Sequence, residues 1–197
     1  DPVGSMIVDI GGGTTDIAVI SLGGIVQTKN LIIAGDKLNN DIASYFRNEF
    51  KLLVGEKTAE NIKIAIGSAI ELPEPVEIEV RGRDLVTGLP RQVVVTDSDI
   101  REAMSASITT LVDGIREVLE TTPPEILADV MHRGIVLVGG GSLIKGLDTL
   151  IERQIKMPVH IAEDPLTAVA RGTGVVLENI DKYKEILIDT QYELPPR

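Results

Sequence analysis

The stretch Asp9-Ile10-Gly11-Gly12-Gly13-Thr14-Thr15-Asp16 decides how this chain is read. It lies between two apolar runs of strand length, Met6 to Ile10 and Asp16 to Ile20. β-Branched runs on either side of a glycine turn are the mark of a hairpin. Three consecutive glycines do more than turn the chain. Lacking side chains, they let backbone N–H groups come close to a phosphate, and N–H groups in a tight turn form an anion nest. Asp9 closes the first strand at the mouth of the turn. A carboxylate there can hold Mg²⁺ through waters or orient an attacking water. Thr14 and Thr15 add hydroxyl donors. The competing reading is a plain hairpin with capping threonines; the order acid, triple glycine, paired threonine at a strand turn argues against it.

About 125 residues further on, Gly139-Gly140-Gly141-Ser142 follows the fully apolar run Ile135 to Val138. The pattern after it predicts a helix to about Gln154, whose N-terminus would add donors and partial positive charge for a phosphate or nucleoside. The segment lacks the dinucleotide pattern, because Ile144 stands where the third glycine is required. It lacks the Walker A pattern too, because Gly141 to Gly146 is followed by Leu147 and not Lys. Alone, this turn is explained equally well by close strand–helix packing. The two glycine turns together carry far more information than either.

Between and around them the elements can be placed by periodicity. Gly23-Gly24 turns the second strand into a third, from about Ile25 to Ala34, giving an antiparallel meander. Asp36 reads as an N-cap, followed by Leu38, Ile42, Tyr45, Phe46 and Phe50 at helical spacing. A second helix is predicted from Thr58 as N-cap, with Ile62, Ile66 and Ile70 on one side, broken by Glu71-Leu72-Pro73-Glu74-Pro75. Val76 to Val80 alternates as a half-exposed strand, with Glu77 and Glu79 on its wet face. Gln92 to Thr96 is its partner, and Arg81 to Pro90 reads as a polar connection. A long helix is predicted from Asp97–Asp99 to Glu120, then a short one opened by Pro123-Pro124. Pro158 to Ile161 is a last strand, and a helix from Pro165 to Glu178 follows. Its Ala168, Ala170, Gly172 and Gly174 are expected to permit close packing on the sheet. His132 and His160 are isolated and read as structural or surface residues, and residues 190–197 as a loose tail.

Composition narrows the function classes. The formal net charge of −11 leaves no broad electrostatic footprint for nucleic acid; Arg81-Gly82-Arg83 is the most basic stretch. With no cysteine there are neither disulfides nor thiolate metal sites, which fits a reducing compartment. No run approaches the roughly 20 apolar residues of a membrane span, and no signal peptide is visible. Aromatic residues are only 3% of the chain, so the core must be built from Ile, Leu, Val and Ala, the makings of an α/β protein. The abrupt opening Asp1-Pro2-Val3-Gly4-Ser5 before a strand leads us to expect residues upstream.

The pair of glycine motifs resembles the actin-like ATPase superfamily: Asp9 to Asp16 is similar to its second phosphate motif, and Ile135 to Ser142 to its adenosine motif. Within that superfamily Ala34-Gly35-Asp36, Gly55 to Glu60, Thr87 to Arg91, Thr121 to Glu125 and Asp164 to Ala170 resemble segments of the MreB family of bacterial actins, and the resemblance runs from residue 1 to about 185. It implies an α/β fold, an RNase H-like (actin-like ATPase) lobe with an inserted small α+β subdomain. Residues 1–36 and 132–185 would form the core (IIA-type), 37–131 the insert (IIB-type) and 186–197 a tail. It also implies ATP/ADP and Mg²⁺ as ligands. Asp9 would serve the metal and the catalytic water, Thr14 would position that water, and Gly11, Gly12, Gly13 and Thr15 would bind phosphates. Gly139, Gly140, Gly141 and Ser142 would pack on the nucleoside and α-phosphate. Glu60 and Lys63, one helical turn apart, would reach the ribose or adenine; the competing reading is a solvated charge pair.

The same resemblance implies what is not here. The family's first phosphate motif and its catalytic Glu segment would lie upstream, as would its membrane-binding elements. Phosphoryl transfer depends on both walls of the cleft, so this chain alone is expected to be no competent ATPase. The intact protein would bind ATP and polymerise with copies of itself into filaments that set rod cell shape. It would lie in the cytoplasm at the inner face of the membrane, with the membrane-bound cell-wall synthesis complex as partner and no nucleic acid. The alternatives are half of a heat-shock-type chaperone ATPase or of a sugar or acetate kinase of the same superfamily.

Overall fold

A computed structural model describes residues 3–183. Strands β1 (Ser5–Ile10), β2 (Thr15–Ser21) and β3 (Gly24–Leu31) form the expected meander. β7 (Ile135–Val138) and β8 (Val159–Ile161) extend it, giving a five-stranded sheet in the order β3-β2-β1-β7-β8. The central strand β1 alternates in burial, with Met6, Val8 and Ile10 at 1% exposure or less, as a period-two strand on a core must. β1 and β7 run parallel and in register, Met6 beside Ile135 and Asp9 beside Val138. The two strands therefore end side by side, and the glycine turns after them emerge at the same edge. Ligand sites of open α/β sheets gather at this edge, outside the carboxyl ends of the strands.

The helices are α1 (Gly35–Glu49), α2 (Glu56–Ile66), α3 (Asp97–Thr121), α4 (Pro124–Arg133), α5 (Leu147–Ile155), α6 (Ala168–Glu178) and α7 (Ile180–Tyr183). β4 (Leu52–Leu53), β5 (Glu77–Asp84) and β6 (Pro90–Thr96) make a second, three-stranded antiparallel sheet. α3 joins the two regions. It leaves β6 through a capping box, in which Thr96 Oγ1 accepts from the Asp99 amide and the Asp99 carboxylate accepts from the Thr96 amide. It then packs against β2 and β3. Gly114 lets it approach Leu31, whose side chain lies 2.6 Å from where a Cβ would stand. Ile17 and Val19 of the sheet, Ile42 and Phe46 of α1, and Ile108, Val112 and Ile115 of α3 belong to one buried cluster, which continues into Leu52, Val80 and Val95.

The element boundaries correct several expectations. β3 stops at Leu31 rather than Ala34. Asp36 does not cap α1: the cap is Ala34, without a side-chain bond, and Asp36 lies in the first turn with its amide donating to Gly12 O at 2.8 Å. α2 begins at Glu56 after Gly55, two residues before Thr58, because the extended backbone of Gly55 turns its carbonyl onto the Thr58 and Ala59 amides. It ends at Ile66, so Ile70 lies beyond it. Half of Arg81 to Pro90 is strand, Arg81 to Asp84 and Pro90. Only Leu85 to Leu89 turns, held by the Asp84 carboxylate accepting from the Val86 and Thr87 amides. The second glycine turn itself winds into a 3₁₀ turn (Gly140–Leu143), and α5 starts only at Leu147. The last long helix starts at Ala168, not Pro165, because the Pro165 carbonyl is taken by the Gly139 amide at 2.9 Å. α6 buries none of its residues, and nothing lies within 4 Å of a Cβ built on Gly172 or Gly174, so its small residues do not pack on the sheet. His132, His160, Glu77 and Glu79 are exposed. The tail at 190–197 lies outside the described residues.

Candidate functional site

The two glycine turns meet. Gly11 and Gly12 from one and Gly140 and Gly141 from the other line a single cleft of about 600 Å³. Their approach requires glycine. Gly139 adopts φ 80°, ψ 168°, a region open essentially to glycine alone. A Cβ there would stand 2.4 Å from Ile10 O and 2.5 Å from Asp9 Oδ1. A Cβ on Gly141 would stand 2.2 Å from Ile10 Cγ2. The second turn is thus seated directly on the end of β1. In the first turn, Gly11 N donates to Thr14 O at 3.0 Å, while among the described residues no backbone carbonyl accepts from Gly12 or Gly13. Two exposed amides at the mouth of a cleft are what an anion nest requires.

The opposite wall comes from α1 and α2. The Gly35 amide donates to Gly11 O at 3.1 Å, which fastens the start of α1 to the first turn. Lys63 of α2 reaches over and donates from Nζ to Gly35 O at 2.9 Å. Its half-buried ammonium is the cleft's cation, and burial pulls its pKa below the usual lysine value against the opposing pull of Glu60 and Asp36. Glu60 also lines the cleft, but its carboxylate accepts from Lys57 at 2.8 Å, and that hydrogen bond holds its pKa low. Ile64, Leu143, Ile144 and Leu166 give the cleft an apolar side, while Gly35, Asp36 and Asn39 complete it. Unpaired backbone amides of a glycine turn, one half-buried cation and an apolar wall together suit a phosphorylated ligand with a flat or apolar body.

Of the residues expected at a site, Gly11, Gly12, Glu60, Lys63, Gly140 and Gly141 line this cleft. Asp9 and Gly139 sit immediately behind it. Burial raises the Asp9 pKa, and the charge of Asp16, its neighbour across the β1–β2 pair, raises it further. Gly13 and Thr14 are exposed at the tip of the turn, with the Thr14 hydroxyl directed at Asp16. Two hydroxyls do not face the cleft. Thr15 is fully buried and donates to Ile33 O at 2.6 Å. Ser142 is fully buried and donates to Gly139 O at 2.7 Å. Both tie the turns to their surroundings. Gly35, Asp36, Asn39, Ile64, Leu143, Ile144 and Leu166 escaped the sequence reading as cleft residues. For Asp36, its position beside Gly35 was the available signal, overridden by its resemblance to an N-cap.

A five-stranded sheet whose two central parallel strands each end in a glycine turn on one cleft is an actin-like ATPase fold. MreB5 of Spiroplasma citri, in crystal structures bound to ADP and to AMPPNP, superimposes with a TM-score of 0.89 at 38% identity, covering 93% of this chain and 56% and 55% of those chains. A MamK double helical filament gives a TM-score of 0.75 at 26% identity, over 88% of this chain and 54% of that one. The cell shape-determining protein Mbl of Bacillus subtilis is 49% identical over 181 residues, 92% of this chain and 54% of the relative. MreB of Escherichia coli K12 is 48% identical over 183 residues, 93% of this chain and 53% of the relative. The family described as MreB/Mbl protein matches residues 1–185. The chain belongs to the MreB/Mbl family of cell shape-determining, actin-like proteins, and it spans about half the length of these relatives.

Proposed function

We propose that this chain supplies one wall of an ATP/ADP site and that the intact protein polymerises into membrane-associated filaments that set rod cell shape. The observation that carries the reading is the convergence of the two glycine turns on one cleft beside Lys63. In this reading Gly11, Gly12 and Gly13 receive the phosphates through backbone amides, and Lys63 adds positive charge. Gly140 and Gly141 pack on the nucleoside, while Glu60 stands at the sugar. Asp9 fits Mg²⁺: it is a half-buried carboxylate raised in pKa partly by a second carboxylate, and such a group gains from a hard cation. The metal would neutralise phosphate charge there, and Thr14 would position water. The sheet division supports a core of 1–36 and 132–185 with an insert of 37–131, since all five strands of one sheet come from the former and all three of the other from the latter.

Filament formation in the cytoplasm at the inner membrane face, and association with the membrane-bound cell-wall synthesis machinery, belong to the same proposal for the intact protein. Among the described residues no helix is long and apolar enough to cross a membrane. Family membership over residues 1–185 favours this reading over the chaperone and kinase alternatives. Sedimentation of the full-length parent tests the reading: ATP should drive it into the pellet, and an ATP-independent soluble protein would contradict it. The present chain alone should show no turnover, because phosphoryl transfer needs groups on both sides of the substrate.

A further inference from the structure

Asn39 is a buried polar residue of the cleft whose side chain no other described residue engages. It lines the cleft on α1, it is 5% exposed, and its Oδ1 is buried without a hydrogen-bond partner. Among the described residues its carboxamide makes no hydrogen bond. A buried amide left unpaired is costly, so this one calls for a partner that is not part of the chain.

We infer that Asn39 recognises a ribose hydroxyl of the bound nucleotide and makes the cleft prefer a ribonucleotide over a deoxyribonucleotide. This rests on the nucleotide reading of the same cleft. Its position selects the sugar. Gly35 and Asp36, at the head of α1, are hydrogen-bonded to Gly11 and Gly12 of the phosphate turn. Asn39 lies on the same helix face four residues beyond Gly35, roughly 6 Å along the axis. That is one step from a phosphate to the sugar that carries it. The chemistry agrees. A carboxamide offers both a donor and an acceptor, as a vicinal diol does, and rotation about its soft terminal torsion presents either end. The apolar residues Ile64, Leu143 and Leu166 offer nothing to a hydroxyl and suit the base.

The test is a titration of the isotope-labelled chain with Mg-ATP, Mg-2′-deoxy-ATP and Mg-3′-deoxy-ATP, following the Gly12 and Gly140 amide resonances. ATP should bind about three- to tenfold more tightly than at least one deoxy analogue, the size of one uncharged hydrogen bond. Asn39→Leu, close in volume, should erase that preference; Asn39→Asp, which keeps an acceptor, should retain part of it. Should Asn39→Leu not fold, the side-chain amide signals of Asn39 in the unmodified chain decide, and they should shift more with ATP than with the disfavoured analogue. Equal affinities in the unmodified chain, or a preference that survives Asn39→Leu, overturn the inference while leaving the nucleotide site intact. Glycine amides indifferent to all three nucleotides overturn the site and the inference together.

Discussion

Gly139 concentrates the physics of the site in one residue. Its φ of 80° and ψ of 168° belong to glycine, and a side chain would be driven into the carbonyl of Ile10 and the carboxylate of Asp9. Gly139→Ala should therefore lower stability by about 2–4 kcal/mol, combining backbone strain with displacement of β1. Thermal unfolding would show it as a large fall in Tm. Asp9 behaves oppositely. Its pKa is raised, so protonation favours the folded chain. That contribution is complete below the ordinary carboxylate range and is lost as pH rises through the raised native value. Asp9→Asn should leave Tm at neutral pH unchanged or higher while weakening Mg²⁺-dependent nucleotide binding, measurable by titration with and without the metal. Such residues were legible in the sequence because an acid before three glycines is a local pattern. Asn39, Ile64, Leu143 and Leu166 were not, since each looks like an ordinary helix or loop residue until the fold gathers them. Thr15 and Ser142 misled for a related reason: a hydroxyl beside a glycine turn serves the turn's own carbonyls as readily as a ligand.

At the scale of elements, α3 shows how local signals set a boundary. Thr96 and Asp99 satisfy each other's backbone amides, and 25 residues of helix follow. Thr96→Ala should destabilise the chain by about 1 kcal/mol. Urea unfolding should show a lower midpoint with unchanged slope; a changed slope would mean that α3 frays rather than losing only its cap. The strands of the meander were read correctly because alternation and glycine turns define them over a few residues. Helix starts were read less well. Asp36 and Thr58 have cap-forming side chains, yet the chain enters α1 from Ala34, where the tertiary bond from Asp36 N to Gly12 O fixes the direction of entry, and α2 from Gly55, whose own carbonyl takes the Thr58 and Ala59 amides. The separation of the second glycine turn from α5 is likewise tertiary. Gly146 adopts φ 71° against Ile70, a contact between segments far apart in the chain.

For the whole molecule, the parallel pairing of β1 with β7 matters most, because it brings together turns about 125 residues apart. That the two turns serve one ligand was implied by the family resemblance, but the pairing that joins them could not be read from periodicity, which says nothing about which strands are neighbours. One cleft results, with backbone amides, a lysine and an apolar side. The most direct measurement is an Mg-ATP titration of the isotope-labelled chain, followed residue by residue by NMR. The amides of Gly11 and Gly12 and those of Gly140 and Gly141 should shift together along one binding curve. Response of one turn without the other, or of neither, would contradict a shared nucleotide wall.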